Sequence, residues 1–407
     1  MRARQTFLLR LAAAALLAAV TTQAPAGERS FDGDVAFLRQ RVEVVVLEDA
    51  AGARVAVVPA WQGRVMTSST SGAAPGYGWI NEELVASGKL LPHINAFGGE
   101  DRLWLGPEGG QFSIFFAKGQ AFDLEHWQTP PLFDTEPWAV AAKDATAVTL
   151  RHHGRLVNYS GTPLDVALDR TVRLLSREEA AKRLGGALPA GVKVVAFASE
   201  NTLENSGKAA WTRETGALSL WILGMFQPGP RTTIVVPYRA GAAAELGPVV
   251  NDAYFGKVPA DRLVDRDGVL YFSGDGKHRS KIGVSPRRVK PVAGSYDAAR
   301  RVLTIVQFDR PEGASEYVNS MWEIQKEPFA GDVVNSYNDG PPAPGAKPMG
   351  PFYELETSSP AAFLAPRARL THVHRTMHLE GPEADLDAIA RRVLGVPLAA
   401  VEKALPR

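Results

Sequence analysis

Short apolar or alternating runs, separated by glycine, proline, asparagine and aspartate, dominate the hydrophobic and polar pattern of this chain. Aromatic and β-branched residues recur inside these runs, as is typical of β-strands. The clearest runs cover residues 41–47, 54–58, 111–116, 145–151, 192–197, 218–223, 232–236, 269–272 and 302–308. Many short strands at close spacing, joined by turn residues, predict an all-β sandwich or barrel.

Helical patterning is confined to two places. Ser176 is a candidate N-cap for a short helix over Arg177–Arg183, which two glycines follow. Residues 382–405 carry an apolar stripe with acidic residues early and basic residues late, which favours a helix or helix pair packed outside the sandwich. We therefore predict a β domain over residues 27–380 and a helical extension of the same domain over 381–407.

The N-terminus has the pattern of a secretory signal peptide. Three arginines precede an apolar run at residues 11–20, which is too short to span a bilayer, and small residues follow at 24–26. The pattern predicts that residues 1–26 are removed and that the protein is periplasmic or secreted, free of the membrane after signal removal. The chain has no cysteine, which excludes disulfides and lipid attachment at a cleavage-site cysteine.

Charge and the common motifs exclude several function classes. Removing the three arginines of the signal segment from 45 basic residues leaves 42 against 44 acidic residues, which predicts neither nucleic-acid nor anionic-membrane binding. The sequence lacks a Gly-x-Ser-x-Gly elbow, a His-Glu-x-x-His helix, a phosphate loop and a dinucleotide fingerprint. We predict no cofactor and no metal, and we expect a monomer.

A glycine-rich segment at residues 92–110 concentrates polar groups with an aromatic side chain. It contains His93, Glu100, Asp101, Arg102, Trp104 and Glu108. Carboxylates accept hydrogen bonds from hydroxyls, arginine donates to oxygens, and an indole face stacks on a pyranose ring, so the segment is typical of sugar recognition. The alternative is a structural loop with a surface ion pair between Asp101 and Arg102.

Two candidate strands near the C-terminus carry a second polar cluster. Alternation places Glu354 and Glu356 on one face of the first strand. By the same rule His372, His374 and His378 share a face of the last strand. A solvent-facing polar strand, an acid–base or sugar-binding site and a metal site using His-x-His with a carboxylate are all open, and we favour the second.

A third, weaker candidate is the rim segment at residues 326–339. Asn335 and Tyr337 could bind hydroxyl groups at the end of a strand. The Asn-Asp-Gly sequence that follows is also a strong turn signal in its own right.

Taken in order, the C-terminal third resembles the aldose 1-epimerases of the galactose mutarotase superfamily. The matching pieces are Lys326-Glu327-Pro328, the segment at 335–338, a proline- and glycine-rich loop, Leu355-Glu356-Thr357, Ala365-Pro366-Arg367 and the strand at 370–379. The strings GGEDRLWLGPEGG and VNSYNDGP look like those of an exported bacterial branch of unknown function. The resemblance implies a large antiparallel β-supersandwich.

The resemblance also implies roles for particular residues. The family's catalytic base falls on Glu356, and the segment that begins at His93 is similar to the family's first active-site histidine element. The family's central general-acid histidine has its nearest counterpart at 200–211, where this sequence has no histidine. His93 or His374 would have to supply the acid.

The sequence thus predicts an exported carbohydrate-active protein that binds a saccharide in a polar and aromatic cleft. Its reaction would be acid–base epimerisation or mutarotation at the anomeric carbon, with Glu356 as base and His93 or His374 as acid. Substrate contacts are expected from Glu100, Asp101, Arg102, Trp104, Glu108, Asn335, Tyr337, Glu354 and His372. A non-catalytic carbohydrate-binding protein and a glycoside hydrolase or polysaccharide lyase of the same fold remain alternatives.

Overall fold

A computed structural model describes residues 29–406, so the predicted signal peptide lies outside the described residues. Strands make up most of this part of the chain. They are β1 Val45–Glu48, β2 Arg54–Val58, β3 Arg64–Ser69, β4 Arg102–Gly106, β5 Ala139–Lys143, β6 Ala147–Val157, β7 Pro163–Leu174, β8 Lys193–Asn205, β9 Ser219–Phe226, β10 Thr232–Pro237, β11 Leu263–Arg266, β12 Val269–Ser273, β13 Ser280–Val284, β14 Val292–Asp297, β15 Val302–Phe308, β16 Val334–Asn338, β17 Tyr353–Ser358 and β18 Arg369–Glu380.

The strands pair antiparallel in three sheets. A small sheet has the order β1-β2-β3, and a ten-stranded sheet has the order β11-β12-β10-β14-β15-β18-β8-β7-β6-β5. A five-stranded sheet has the order β13-β16-β17-β9-β4. Consecutive strands β17 and β18 therefore belong to different sheets, which decides where their side chains meet.

The five-stranded sheet packs face to face on the ten-stranded sheet. From β17, Leu355 enters a buried cluster that includes Ile234 and Val306 of the ten-stranded sheet. Polar contacts also cross the layer, since the hydroxyls of Tyr353 and Ser295 lie 2.8 Å apart. The predicted large antiparallel sandwich is confirmed, and the opposite face of the five-stranded sheet is free to carry a site.

Six short α-helices accompany the sheets within residues 29–406: α1 Phe31–Leu38, α2 Glu82–Ser87, α3 Arg177–Arg183, α4 Ala243–Leu246, α5 Glu383–Val393 and α6 Leu398–Glu402. Helices α3, α5 and α6 pack on the ten-stranded sheet, whereas α1 and α2 pack on the small sheet. Leu386 and Ile389 of α5 pack with Leu303 and Met377 of the sheet. These contacts confirm the predicted C-terminal helix pair. The apolar stripe of the pair is buried against the face of the sheet, as an amphipathic helix requires. Within residues 29–406 the longest apolar helix is too short to cross a membrane.

The predicted helix α3 is confirmed at both ends. Ser176 accepts a hydrogen bond from the backbone N–H of Glu179, and the Glu179 carboxylate accepts one from the backbone N–H of Ser176. This reciprocal capping box satisfies two donors that a helix start otherwise leaves unpaired. The short helices α1, α2 and α4 were not predicted, since each is too short to show a helical period.

One predicted strand is wrong. Residues 111–116 form turns, in which the hydroxyl of Ser113 accepts a hydrogen bond from the backbone N–H of Phe115 at 3.0 Å. Phe115 is buried against Trp104, with ring centroids 5.3 Å apart. The apolar run therefore reflects an aromatic cluster around the sheet edge rather than a paired strand.

Candidate functional site

A cleft of about 320 Å³ opens on the outer face of the five-stranded sheet. Because side chains alternate along a strand, every second residue of each strand faces it. Strand β4 contributes Arg102 and Trp104, β9 contributes Trp221, β17 contributes Glu354 and β13 contributes Lys281. Four strands that are distant in sequence thus place charged and aromatic side chains in one cavity.

Four indole side chains line the cleft. Trp104 packs edge-on against Trp221 with ring centroids 5.7 Å apart, and Trp322 stacks on Trp127 at 6.1 Å. Within the described residues the buried indole nitrogens of Trp104 and Trp127 have no hydrogen-bond partner. Buried donors are nearly always paired in folded proteins, so these two indoles leave donors for a ligand.

Arg102 and Glu354 form a buried ion pair in the cleft. Arg102 Nη2 lies 2.8 Å from Glu354 Oε1, and the guanidinium stacks over the Trp104 ring at 4.3 Å. In the described part of the chain Arg102 Nε and Nη1 lack partners. Burial raises the pKa of Glu354 to about 7, although the positive charge of Arg102 acts in the opposite direction. Glu354 can therefore gain or lose a proton near neutral pH.

Glu356 lies behind the cleft surface and is 1% exposed. Its Oε2 accepts hydrogen bonds from Lys281 Nζ and Trp221 Nε1, both at 2.9 Å. Burial alone would lower the pKa of Lys281, but the negative charges of Glu356 and Glu108 outweigh it and raise that pKa above its ordinary value. Glu356 thus holds the Lys281 ammonium at the cleft surface.

Glu108 is a half-buried carboxyl group at the same cleft. Burial raises its pKa above the ordinary value, Lys281 lowers it, and Glu356 raises it further. The neighbouring Trp322 side chain lowers this pKa, against the effect of burial. The cleft consequently holds two carboxyl groups, Glu108 and Glu354, whose pKa values are both shifted upward.

The loop between β16 and β17 closes one side of the cleft. Tyr337 donates a hydrogen bond to Asp339 Oδ1 at 2.7 Å, and the backbone N–H of Gly350 donates to Asp339 Oδ2 at 2.9 Å. Asp339 therefore ties the two ends of the loop together. Lys347 anchors the loop to α2 through Glu83 at 2.7 Å.

Two further predicted residues lie at the margin of the cleft. His93 is exposed at the rim, where its Nδ1 lies 2.7 Å from the carbonyl oxygen of Trp127. Asn335 lies beside the cleft in a small neighbouring pocket and donates a hydrogen bond to the carbonyl oxygen of Ile282 at 3.2 Å. Gly283 makes this possible, since a Cβ there would come 2.7 Å from Asn335 Nδ2.

Glu100 and Asp101 were expected to contact the substrate, but the structure does not place them in the cleft. Both are fully buried, Asp101 pairing with Arg170 at 2.6 Å and Glu100 with His378 at 2.6 Å. The surface ion pair between Asp101 and Arg102, which was the alternative to sugar recognition, is not formed either, because neighbouring residues on an extended segment point to opposite faces.

His372 and His374 were expected in the cleft too, and the structure places them between the two large sheets. The hydroxyl of Thr357 lies 2.8 Å from His372 Nε2 and 2.9 Å from His374 Nδ1. Thr357 faces away from the cleft, since it alternates with Glu356 on β17. Within residues 29–406 no group of three or more His, Asp and Glu side chains is arranged to hold a metal ion.

Burial in this layer lowers the pKa of His372 to about 3 and that of His374 to about 4. Both rings are neutral in the folded protein, whereas an unfolded histidine binds a proton below about pH 6.5. The stability that their neutral packing provides is therefore complete above pH 6.5 and declines as the pH falls from there toward 4.

We expect the unfolding free energy to fall by about 2 kcal/mol per buried histidine between pH 6.5 and pH 5. Urea unfolding at pH 7.5 and pH 5 would measure it. His374→Gln should lose about 2 kcal/mol of that pH dependence, while the control His153→Gln, at an exposed position, should keep it. Equal pH dependence in both variants would contradict the buried neutral state.

Several cleft residues were missed by the sequence interpretation. Lys281, Trp127, Trp221, Trp322 and Arg279 all line it. Arg279 and Lys281 alternate at the start of β13, so the sequence alone indicates that they share one face of the strand. A basic strand end is usually solvated, however, and this pattern does not mark a binding site. The tryptophans had no signal beyond residue type, because strand pairing brings them together.

The family of this chain follows from its sequence as a whole. A model of a family of unknown function, DUF6786, matches residues 29–405. The chain belongs to this family. A branch of unknown function is what the sequence motifs predicted. No curated protein matches the chain.

Solved structures resemble this member of DUF6786 in fold. The Slr1438 protein from Synechocystis sp. PCC 6803 has a TM-score of 0.51 at 14% identity, covering 84% of this chain and 97% of that one. A galactose mutarotase-like protein from Lactobacillus casei ATCC 334 has a TM-score of 0.47 at 12% identity, with 83% and 100% covered. A galactose mutarotase related enzyme from Lactobacillus acidophilus has a TM-score of 0.45 at 8% identity, with 83% and 97% covered.

Proposed function

We propose that this protein binds a saccharide ring in the cleft on the outer face of the five-stranded sheet. The observation that carries the proposal is the combination of indole faces with unpartnered donors. Trp104 and Trp127 present ring surface together with free indole N–H groups, and Arg102 adds two more donors without acceptors among the described residues. A pyranose offers a C–H face for the rings and hydroxyl oxygens for the donors.

We further propose that the protein does this outside the cytoplasm. The basic, apolar and small-residue segments at residues 1–26 support export, since they have the order of a secretory signal.

The cleft also supports acid–base chemistry at the anomeric carbon. In its ionised form Glu354 could take the proton of the anomeric hydroxyl, while protonated Glu108 gives a proton to the ring oxygen. The ring C–O bond then breaks, the aldehyde rotates, and closure in reverse gives the other anomer. Burial raises the pKa of both carboxyl groups and so brings each closer to the range in which a carboxyl group exchanges a proton near neutral pH.

Glu354 takes the role that the sequence resemblance gave to Glu356. Lys281 and Trp221 lie between Glu356 and the cleft and already bind its Oε2. Glu356 is therefore proposed as a positioning residue that fixes Lys281, and Glu108 as the acid in place of His374. His93 remains at the rim, where it could contact a second sugar unit.

A panel of reducing saccharides followed by NMR tests the proposal. Selective broadening or saturation transfer reports binding, magnetisation exchange between the α and β anomeric signals reports ring opening, and new anomeric signals report bond cleavage. We expect binding with anomeric exchange. Binding without exchange would favour a non-catalytic carbohydrate-binding protein, cleavage would favour a glycoside hydrolase or lyase, and no response from any sugar would refute a saccharide ligand.

Trp322→Ala is expected to weaken saccharide binding about tenfold. A stacked aromatic surface contributes about 1.4 kcal/mol to the binding free energy, which corresponds to a tenfold change in the dissociation constant. Trp322 is half-buried, so its loss should change the melting temperature little. Isothermal titration calorimetry with the best sugar of the panel measures the change. Phe363→Ala is the matched control, because Phe363 is a half-buried ring that stacks with Arg213 and packs edge-on against Phe329 away from the cleft. Equal affinities in the two variants would contradict the stacking role.

A further inference from the structure

A second groove of about 560 Å³ continues from the cleft along the outside of β13. The two cavities share Phe255, Arg279 and Pro342 as lining residues. One wall is the proline-rich loop at residues 341–345, and the other is the segment that leads into β13. We call this second cavity the basic groove. A chain of sugar units that begins in the cleft would continue into it.

The basic groove is lined by positive charge. Lys257, Lys277, His278 and Arg279 line it, and within the described residues its lining includes no carboxylate. Lys277 and Lys257 are exposed. Among residues 29–406, Lys277 and Arg279 have no carboxylate oxygen within 4.0 Å, and the contact of Lys257 with Asp252 is long, at 3.8 Å. These cations are therefore available to an anionic ligand.

Two other acidic side chains near the groove are already engaged with partners of their own. Asp275 pairs with Arg262, and Asp339 accepts hydrogen bonds from Tyr337 and Gly350. They reduce the positive potential at the inner end of the groove but leave its outer end, at Lys257 and Lys277, basic.

An aromatic surface accompanies the charges. Phe255 is 40% exposed, and the guanidinium of Arg279 stacks over its ring at 3.9 Å. A stacked arginine keeps its edge N–H groups free for an anionic oxygen while the exposed part of the ring remains open to a sugar face. At the inner end, Arg102 is 4% exposed and has two N–H groups without acceptors in the described structure.

We propose that the ligand is an anionic oligosaccharide, bearing carboxylate or sulfate groups, with one ring in the cleft and the following units in the basic groove. This rests on the proposed function, because it names the class of saccharide that the same site takes. A neutral oligosaccharide would offer no negative charge to Lys257, Lys277 and Arg279. A single sugar would leave the groove empty.

Calorimetric titration of the full chain with three tetrasaccharides tests the proposal: oligogalacturonate, which carries only carboxylates, a sulfated galactan oligomer, which carries only sulfates, and neutral cellotetraose. We expect at least one anionic oligomer to bind about tenfold more tightly than the neutral one at low salt. The advantage should shrink between 50 and 500 mM NaCl, because exposed charges are screened. The anionic oligomer that binds more tightly shows whether the ligand carries carboxylate or sulfate groups.

The double variant Lys257→Ala/Lys277→Ala should lose most of this tenfold preference for the anionic oligomer, since two exposed ion pairs account for a change of this size. Lys208→Ala, at an exposed position outside both cavities, is the control and should retain the preference. Equal affinity for neutral and anionic oligomers would overturn this proposal while leaving saccharide binding intact. So would equally tight binding of inorganic polyphosphate, which would indicate a general polyanion surface. No binding of any oligosaccharide would overturn both.

Discussion

Replacing Glu354 with glutamine is expected to lower the rate of anomeric exchange by about 10²- to 10⁴-fold, the usual contribution of a positioned acid–base group. Glutamine keeps the shape of the side chain and an oxygen that accepts from Arg102 Nη2, so sugar affinity should change by less than about threefold. The substitution removes the ionisable carboxyl group. Burial raises the pKa of this group to about 7. Exchange spectroscopy at saturating sugar measures the rate.

The pH profile separates a catalytic role of Glu354 from a structural one. If ionised Glu354 is the base, the wild-type rate should rise with pH through about 7, and this inflection should be absent in Glu354→Gln. Glu204→Gln is the matched control, since Glu204 is a buried glutamate that pairs with Arg367 and Arg369 away from the cleft. An unchanged rate and profile in Glu354→Gln would refute the assignment.

Replacing Arg170 with methionine is expected to lower the unfolding free energy by about 3–5 kcal/mol, because it leaves a buried carboxylate without its counter-charge. Arg170 and Asp101 are both fully buried, with Nη2 and Oδ1 2.6 Å apart. The same guanidinium donates to Asn201 Oδ1 at 2.6 Å and to the carbonyl oxygen of Gly63 at 3.1 Å. It therefore joins the ten-stranded sheet to the segments that carry β3 and β4.

Arg155→Met provides the matched control for that prediction. Arg155 pairs with Asp165 at the same 2.6 Å, but their side chains are 65% and 34% exposed. Exposed ion pairs contribute about 0–1 kcal/mol, so the control should lose no more than that. Urea unfolding of both variants decides the point. Losses of similar size would show that burial of the Asp101–Arg170 pair has no special effect.

The strands were largely predictable because their signal is local. Alternation correctly placed Glu354 and Glu356 on one face of β17, and it correctly placed His372 and His374 on one face of β18. The period of two along an extended chain needs no knowledge of the partner strand. The same reasoning wrongly predicted a strand at residues 111–116, because buried aromatic side chains in a loop produce an apolar run like that of a strand.

The membership of the cleft could not be predicted from local pattern. Although β17 and β18 are consecutive, β17 pairs with β9 and β16 while β18 pairs with β8 and β15. The glutamates therefore face the cleft side and the histidines face the layer between sheets. Lys281 was missed for the same reason. It lies opposite Tyr337 only because β13 pairs with β16, and the local sequence does not show that pairing.

The central claim is that a saccharide ring binds on the outer face of the five-stranded sheet, and a crystal structure with an oligosaccharide bound tests it most directly. The account predicts one ring packed on the indoles of Trp104 or Trp322, with hydroxyl oxygens within hydrogen-bonding distance of Arg102 and Glu354. A sugar bound elsewhere on the chain, with the cleft unoccupied at saturating ligand, would contradict it.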